Sequence, residues 1–385
     1  MTSPERTDRL LDDVRRGLGT GAGAAEAAVA AQVRARAGVL GSDELLGIAH
    51  RISADIVGAG PLEPLLHDPA VTDVLVNGPG PVWVDRGRGV ERSAVVVDDE
   101  ATLRRLAQRL VGGCGRRLDD ASPYADARLP DGVRVHAVLP PVAPLGTCLS
   151  LRVPPRRAFT LDDLVAARSV PPAGADVLRA IVERRLAFLV SGGTGSGKTT
   201  ILSTLLSLAE PAERIVLVED AAELRPDHPH VVPLEARTAN AEGNGAVDLA
   251  ALVRQALRMR PDRLVVGEVR GPEVRDLLAA LNTGHEGGCG TLHANRAEQV
   301  PARIEALGAL AGMSRSAVHS QLAAALDVVI HLRRDRDGRR QVAAVGVVDP
   351  QPDGIVRVLP AVSFAANGIR PGPGHDLLHA RLRGG

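Results

Sequence analysis

Apolar positions recur along the chain in two rhythms. From Leu62 to Trp83 they come in short alternating runs broken by Asn77-Gly78 and Pro79-Gly80, the pattern of strands joined by tight turns. Asp99 to Val111 carries apolar residues at helical spacing, and Val133–Val138 and Cys148–Val153 predict further strands. Beyond residue 185 the runs become short and continuous. Ala187–Val190, Arg214–Val218 and Leu264–Val266 predict buried strands. Helical segments alternate with them. Thr200–Leu208 is leucine-rich. Asp248–Met259 places Leu249, Leu252, Val253, Ala256 and Leu257 on one face behind an Asp248 cap and stops at Pro261. Pro272–Leu281 follows, with Gly284 beyond its end. Strands alternating with helices imply a parallel sheet whose ligands gather at the carboxyl ends of the strands. Arg333–Arg340 predicts a charged Asp-Gly hairpin.

These patterns divide the chain. Residues 1–55 read as an alanine-rich helical extension, either a partner-docking segment or a solvated one. Residues 56–153 form a small α+β domain, and 154–175 a linker with prolines at both ends of a short Leu161–Ala167 helix. Residues 176–349 form an α/β domain. From Pro350 to residue 385 the Pro and Gly content predicts a poorly ordered tail.

Composition narrows the function. Hydrophobic residues are 45% and charged residues 24% of 385, which describes a globular chain. Lys+Arg and Asp+Glu are both 46, giving a formal charge of zero. Aromatics amount to one Trp, one Tyr and three Phe. A basic groove with stacking platforms for nucleic acid is therefore not expected. No apolar run is long enough for a membrane-spanning helix, and the charged start Met1–Leu18 has no signal-peptide core. Cys114, Cys148 and Cys289 are odd in number and never form C-x-x-C, which suits a reducing cytoplasm.

Among the 46 basic residues one is lysine, Lys198, and all others are arginine. The bias marks Lys198 as a position that a planar guanidinium cannot fill. It stands in Gly192-Gly193-Thr194-Gly195-Ser196-Gly197-Lys198-Thr199-Thr200, which fits G-x-x-x-x-G-K-[ST] between a predicted strand and a predicted helix. Glycines let the backbone wrap phosphates, and successive N–H groups with a helix N-terminus supply positive potential. Lys198 would reach the β- and γ-phosphates and Thr199 would ligate Mg²⁺. With no second lysine, a guanine-reading N-K-x-D motif is excluded, and ATP is the expected nucleotide.

Glu219 and Glu268 follow the second and third buried runs. A carboxylate there can hold Mg²⁺ through water or orient the attacking water. The plainer role is an acidic helix cap. Gly284–Asn295 contains His285, Cys289 and His293, a spacing that invites a metal reading. Its glycines break any helix that would align the three, and no fourth ligand is evident. A histidine at this level can instead hydrogen-bond a γ-phosphate.

Together the segments Gly192–Thr200, Val218-Glu219-Asp220, Arg258-Met259-Arg260-Pro261-Asp262 leading to Gly267-Glu268-Val269-Arg270, and Gly284-His285-Glu286 through His293-Ala294-Asn295 resemble, in order, the Walker A, Asp box, Walker B and His box of the type II/type IV secretion ATPase superfamily. The likeness runs from about Gly60 to Val348 and is strongest to Tad (tight-adherence) pilus-assembly and conjugal-transfer-associated ATPases. The resemblance implies a RecA-like P-loop core behind a smaller N-terminal α+β domain, bound ATP and Mg²⁺, and a homohexameric ring. It also implies a cytoplasmic protein held at the inner membrane by a platform protein. Asp126-Ala127-Arg128 through Val135 and Ser150-Leu151-Arg152 are similar to the family's N-terminal domain, and the match implies that Arg134 and Arg152 approach the γ-phosphate. The chain departs from that pattern where Arg152 is followed by Val153-Pro154-Pro155. Two other classes remain as alternatives, an ATP-driven nucleic-acid motor and a non-hydrolysing ATP-binding scaffold.

Overall fold

A computed structural model describes residues 58–87, 89–154, 158–237, 244–284, 286–335, 337–365 and 368–383. The 1–55 extension and His285 lie outside the described residues. The chain divides into two compact units between Arg156 and Arg157.

The first unit is an antiparallel sheet with one long helix. Its strands are β1 (Asp73–Asn77), β2 (Gly80–Asp85), β3 (Val90–Val97), β4 (Tyr124–Arg128), β5 (Arg134–Val138) and β6 (Cys148–Arg152), in the order β3-β2-β1-β6-β5-β4. Helix α1 (Glu63–His67) precedes them. Helix α2 (Glu100–Gly113) starts where the Asp99 carboxylate accepts the Thr102 N–H and buries Leu103, Leu106, Ala107 and Leu110. Period-2 burial along β1 and β2 supplies Val74, Val76, Val82 and Val84 to the same core.

The second unit is a nine-stranded sheet. Six strands are parallel: β7 (Phe188–Gly192), β8 (Ile215–Glu219), β9 (Val231–Glu235), β10 (Arg263–Val269), β11 (Cys289–His293) and β12 (Val328–Arg334). Strands β13 (Arg340–Pro350), β14 (Val356–Ala365) and β15 (Gly368–Pro371) extend it antiparallel, in the order β15-β14-β13-β12-β7-β11-β10-β8-β9. Strands β7 and β8 are buried along their whole length, as a sheet covered on both faces requires. One face is covered by α3 (Leu161–Ala166), α4 (Pro172–Glu183) and α5 (Lys198–Leu206). The other is covered by α6 (Leu249–Ala256), α7 (Glu273–Leu281), α8 (Val300–Leu310) and α9 (Arg315–Ala325). Asp248 caps α6 by accepting the Ala251 N–H.

The expected tail after Pro350 is a correction. Val356, Val358, Ala361 and Val362 of β14 are buried, and helix α10 (His375–Arg383) buries Leu378 and anchors Arg381 on the carbonyls of Asp327 and Val348. Pro360 is accommodated at a register shift opposite Gly346, before the residues of β14 that pair with β15. Composition alone hid these strands.

At the amino ends of the parallel strands, Arg263 is 1% exposed. It pairs with Glu213 and donates to the Val182 carbonyl at 2.9 Å. Arg185 binds the same Glu213 at 2.9 Å and the Asp262 carbonyl at 3.0 Å. The Asp262 carboxylate accepts the Arg214 N–H at 2.7 Å. Glu213→Ala leaves Arg263 buried without its counter-charge and is expected to cost about 3–5 kcal/mol, read by denaturant unfolding.

Candidate active site

The register of the parallel strands sets the site. Gly192, the last residue of β7, is level with His293 at the end of β11 and with Leu332 of β12. Val218 is level with Val266, so Glu219 and Gly267 are the next positions on β8 and β10. The backbones are close. A Cβ on Gly192 would sit 2.6 Å from Ser196 Oγ and 2.8 Å from the Leu332 carbonyl oxygen. A Cβ on Gly267 would sit 2.7 Å from Glu219 Cγ.

Between β7 and α5 the chain turns tightly, with Ser196 Oγ donating to the Gly193 carbonyl at 2.8 Å. Gly195 and Gly197 have φ of +68° and +93°, a backbone that L side chains rarely adopt. A Cβ on Gly193 would meet nothing within 4 Å, which leaves that side of the turn open. No side chain caps α5, so its first-turn N–H groups face the turn without a protein acceptor from a cap. Half-buried Lys198 folds its Nζ onto the carbonyl oxygens of Gly192 and Gly193 at 3.2 and 3.3 Å. Burial lowers its pKa, and the charge of Glu268 opposes that shift. Thr194, Thr199 and Thr200 complete the turn and the first turn of the helix.

Glu268, on β10, pairs with Arg270 two residues on. Glu219 is 3% exposed, and its Oε1 accepts the N–H groups of Glu223 and Leu224, both at 3.0 Å. It therefore holds the chain after β8 in place. The carboxyl that shares the field of Glu268, Arg270 and Glu273 is Asp220, raised from its ordinary pKa first by burial. In the sequence Asp220 stands at the end of the Val218-Glu219-Asp220 segment, but the role there falls to Glu219, because two adjacent acids cannot be told apart by spacing. Asp220, Arg270 and Glu273 line a cavity of about 270 Å³ with Asp248.

His293 is exposed at the end of β11, while Cys289 is fully buried and its thiol is pushed up to about 12 by that burial. Four residues apart on one strand, the two are about 13 Å distant and cannot share an ion. Among the described residues no cluster of His, Cys, Asp or Glu suits a metal ion without other ligands. Arg134 and Arg152 belong to the first unit, where they are register partners on β5 and β6, and Arg152 donates to Asp73 at 3.2 Å.

Two features were invisible in the linear motifs. On the other side of the turn, Ser196, Gly197, Thr200, Ile201, Leu332 and Arg340 help line a mostly apolar cavity of about 170 Å³. Beneath the turn, His331 of β12 lies 2.9 Å from Ser191 Oγ, and its ring is hydrogen-bonded to the Asn295 backbone. His331 thus ties the residue before Gly192 to the segment after His293. Only strand pairing, not sequence spacing, brings these together.

Burial is the main cause holding His331 below the ordinary histidine pKa of 6.5, against the charge of Glu298. The unfolded chain then binds the proton first, so stability falls as pH drops below about 6.5, by at most about 1.4 kcal/mol per pH unit from this group. His331→Gln is expected to flatten that slope in denaturant unfolding measured from pH 5 to 8.

Residues 55–357 match the family model of the type II/IV secretion system protein. A Mycobacterium tuberculosis protein named for conjugal transfer is 55% identical over 351 residues, covering 89% of this chain and 99% of that protein. The type IV secretion system protein PtlH of Bordetella pertussis is 34% identical over 328 residues, covering 76% of this chain and 94% of its own. Among solved structures, the pilus retraction motor PilT with bound ADP superposes with a TM-score of 0.54 at 20% identity, covering 84% of this chain and 85% of that one, a likeness of fold. The chain belongs to the type II/IV secretion system ATPase superfamily, with a RecA-like P-loop core behind an N-terminal α+β domain.

Proposed function

We propose that this chain hydrolyses ATP as a homohexameric motor at the cytoplasmic face of the inner membrane, docked on the platform protein of a Tad-type pilus or a type II/IV secretion system. The observation that carries the reading is the glycine turn Gly193–Gly197 with Lys198 on the carbonyls of Gly192 and Gly193 and the carboxylate of Glu268 in the field of that ammonium. A glycine turn with left-handed positions, an uncapped helix start and a half-buried ammonium fit a polyphosphate.

In this reading Gly192–Thr200 hold the phosphates, and the cavity beside Gly197 takes the base. Thr199 and Glu268 would hold Mg²⁺, with Glu219 behind them. The ion supplies screening of phosphate charge. Glu268 orients the attacking water and accepts its proton, and Arg270 fixes the Glu268 carboxylate. His293, level with Gly192, offers a hydrogen bond that reports the terminal phosphate, and His285 is assigned the same task. Arg134 and Arg152 are assigned to the γ-phosphate on the family likeness, a task that an arginine fork suits. Among the described residues no helix is long and apolar enough to cross a membrane.

Phosphate release from Mg-ATP, with mass measured by light scattering, tests the reading. Wild type should turn over as a hexamer. Glu268→Gln should keep ATP bound and lose about 100-fold or more in turnover, the scale of a positioned base. Lys198→Ala should lose nucleotide binding. Undiminished turnover by Glu268→Gln would overturn its role, and bound ATP without turnover by wild type would favour the scaffold.

A further inference from the structure

Strand β12 runs parallel to β7 with Leu332 level with Gly192. Where β7 bends into the phosphate turn, β12 continues through Arg333 to Arg334, and β13 returns with Arg340 opposite Arg334. Both arginines lie against the turn. A Cβ on Gly195 would be 3.7 Å from Arg334 Nη1, and one on Gly197 would be 3.5 Å from Arg340 Cδ. Arg334 donates from Nε to the Gly338 carbonyl at 3.3 Å, which holds its guanidinium at the base of the hairpin. Arg340 lines the cavity beside Ser196, Gly197 and Thr200. Both side chains are exposed, and among the described residues neither forms an ion pair with an acidic side chain.

The Arg334 guanidinium and the Arg340 stem thus lie against the same short turn that carries Lys198 and an uncapped helix start. Cationic side chains on one turn raise the local positive potential, which favours a bound anion. Resting on the ATPase reading, we propose that the β12–β13 hairpin is a nucleotide clamp supplied by the catalytic unit itself. Arg334 binds the polyphosphate across Gly195. Arg340 covers the base and ribose along Gly197, with its stem on the apolar wall. An arginine fork suits the first task by spanning two phosphate oxygens. A flat, weakly hydrated guanidinium suits the second by stacking on a purine.

The test is equilibrium competition of ATP, ADP and AMP against a fluorescent ADP analogue on the full chain. Arg334→Ala is expected to weaken ATP and ADP about ten-fold while leaving AMP within about two-fold, as loss of a charged hydrogen bond to the distal phosphates requires. Arg334→Gln, which keeps length and polarity without charge, should lose the same. Arg340→Ala should weaken all three nucleotides alike. Arg303→Ala, an exposed arginine on α8, should change nothing. Wild-type affinity for ADP in both Arg334 variants would overturn the clamp alone. A wild-type chain that binds no nucleotide would overturn the ATPase reading and the clamp with it.

Discussion

The second unit depends on the parallel pairing of β7 with β11 and β12. Hydrogen bonding in register leaves Gly192, His293 and Leu332 at one level, and it leaves Gly267 and Glu219 at neighbouring positions one and two strands further on. The glycines that allow this are fixed by backbone contacts. A Cβ on Gly290 would come 2.7 Å from the Val266 carbonyl oxygen, and one on Gly192 would collide with Ser196 and Leu332. The phosphate turn is therefore held by its neighbours on both sides, not by its own sequence alone.

The two ends of the same strands carry opposite chemistry. At their amino ends Arg263 and Glu213 form a buried pair, satisfied further by Arg185 and the Val182 carbonyl. Such a network costs desolvation and gains little net stability, but it tolerates only one arrangement of its members. At the carboxyl ends Glu219 is buried, but Lys198 and Glu268 are half-buried and Arg270 is exposed, each with one or two partners: Glu268 pairs with Arg270, and Lys198 bonds two carbonyls. The first end fixes strand positions, and the second leaves side chains able to exchange partners when a ligand arrives.

The parts of the site legible in the sequence are those encoded locally. A phosphate turn needs glycines and a lysine at fixed spacing between a strand and a helix. A helix start needs its Asp248, and a hairpin its Asp-Gly. Residues that act across strands left no such mark. His331 gains its meaning from Ser191 and Asn295, which are remote in sequence. Arg334 and Arg340 are hidden because one arginine among so many carries no signal until the fold sets it on a glycine. Strands β14 and β15 were masked by Pro and Gly, although alternate valines of β14 are buried.

The central claim is that the carboxyl ends of the parallel strands in the nine-stranded sheet form a nucleotide site. Amide hydrogen exchange of the full chain with and without Mg-ADP tests it most directly. The account predicts new protection in 193–200, at the carboxyl ends of β10 and β11, and in the β12–β13 hairpin, with the amino ends of the strands unchanged. Protection confined to other segments, or none at saturating nucleotide, would contradict it.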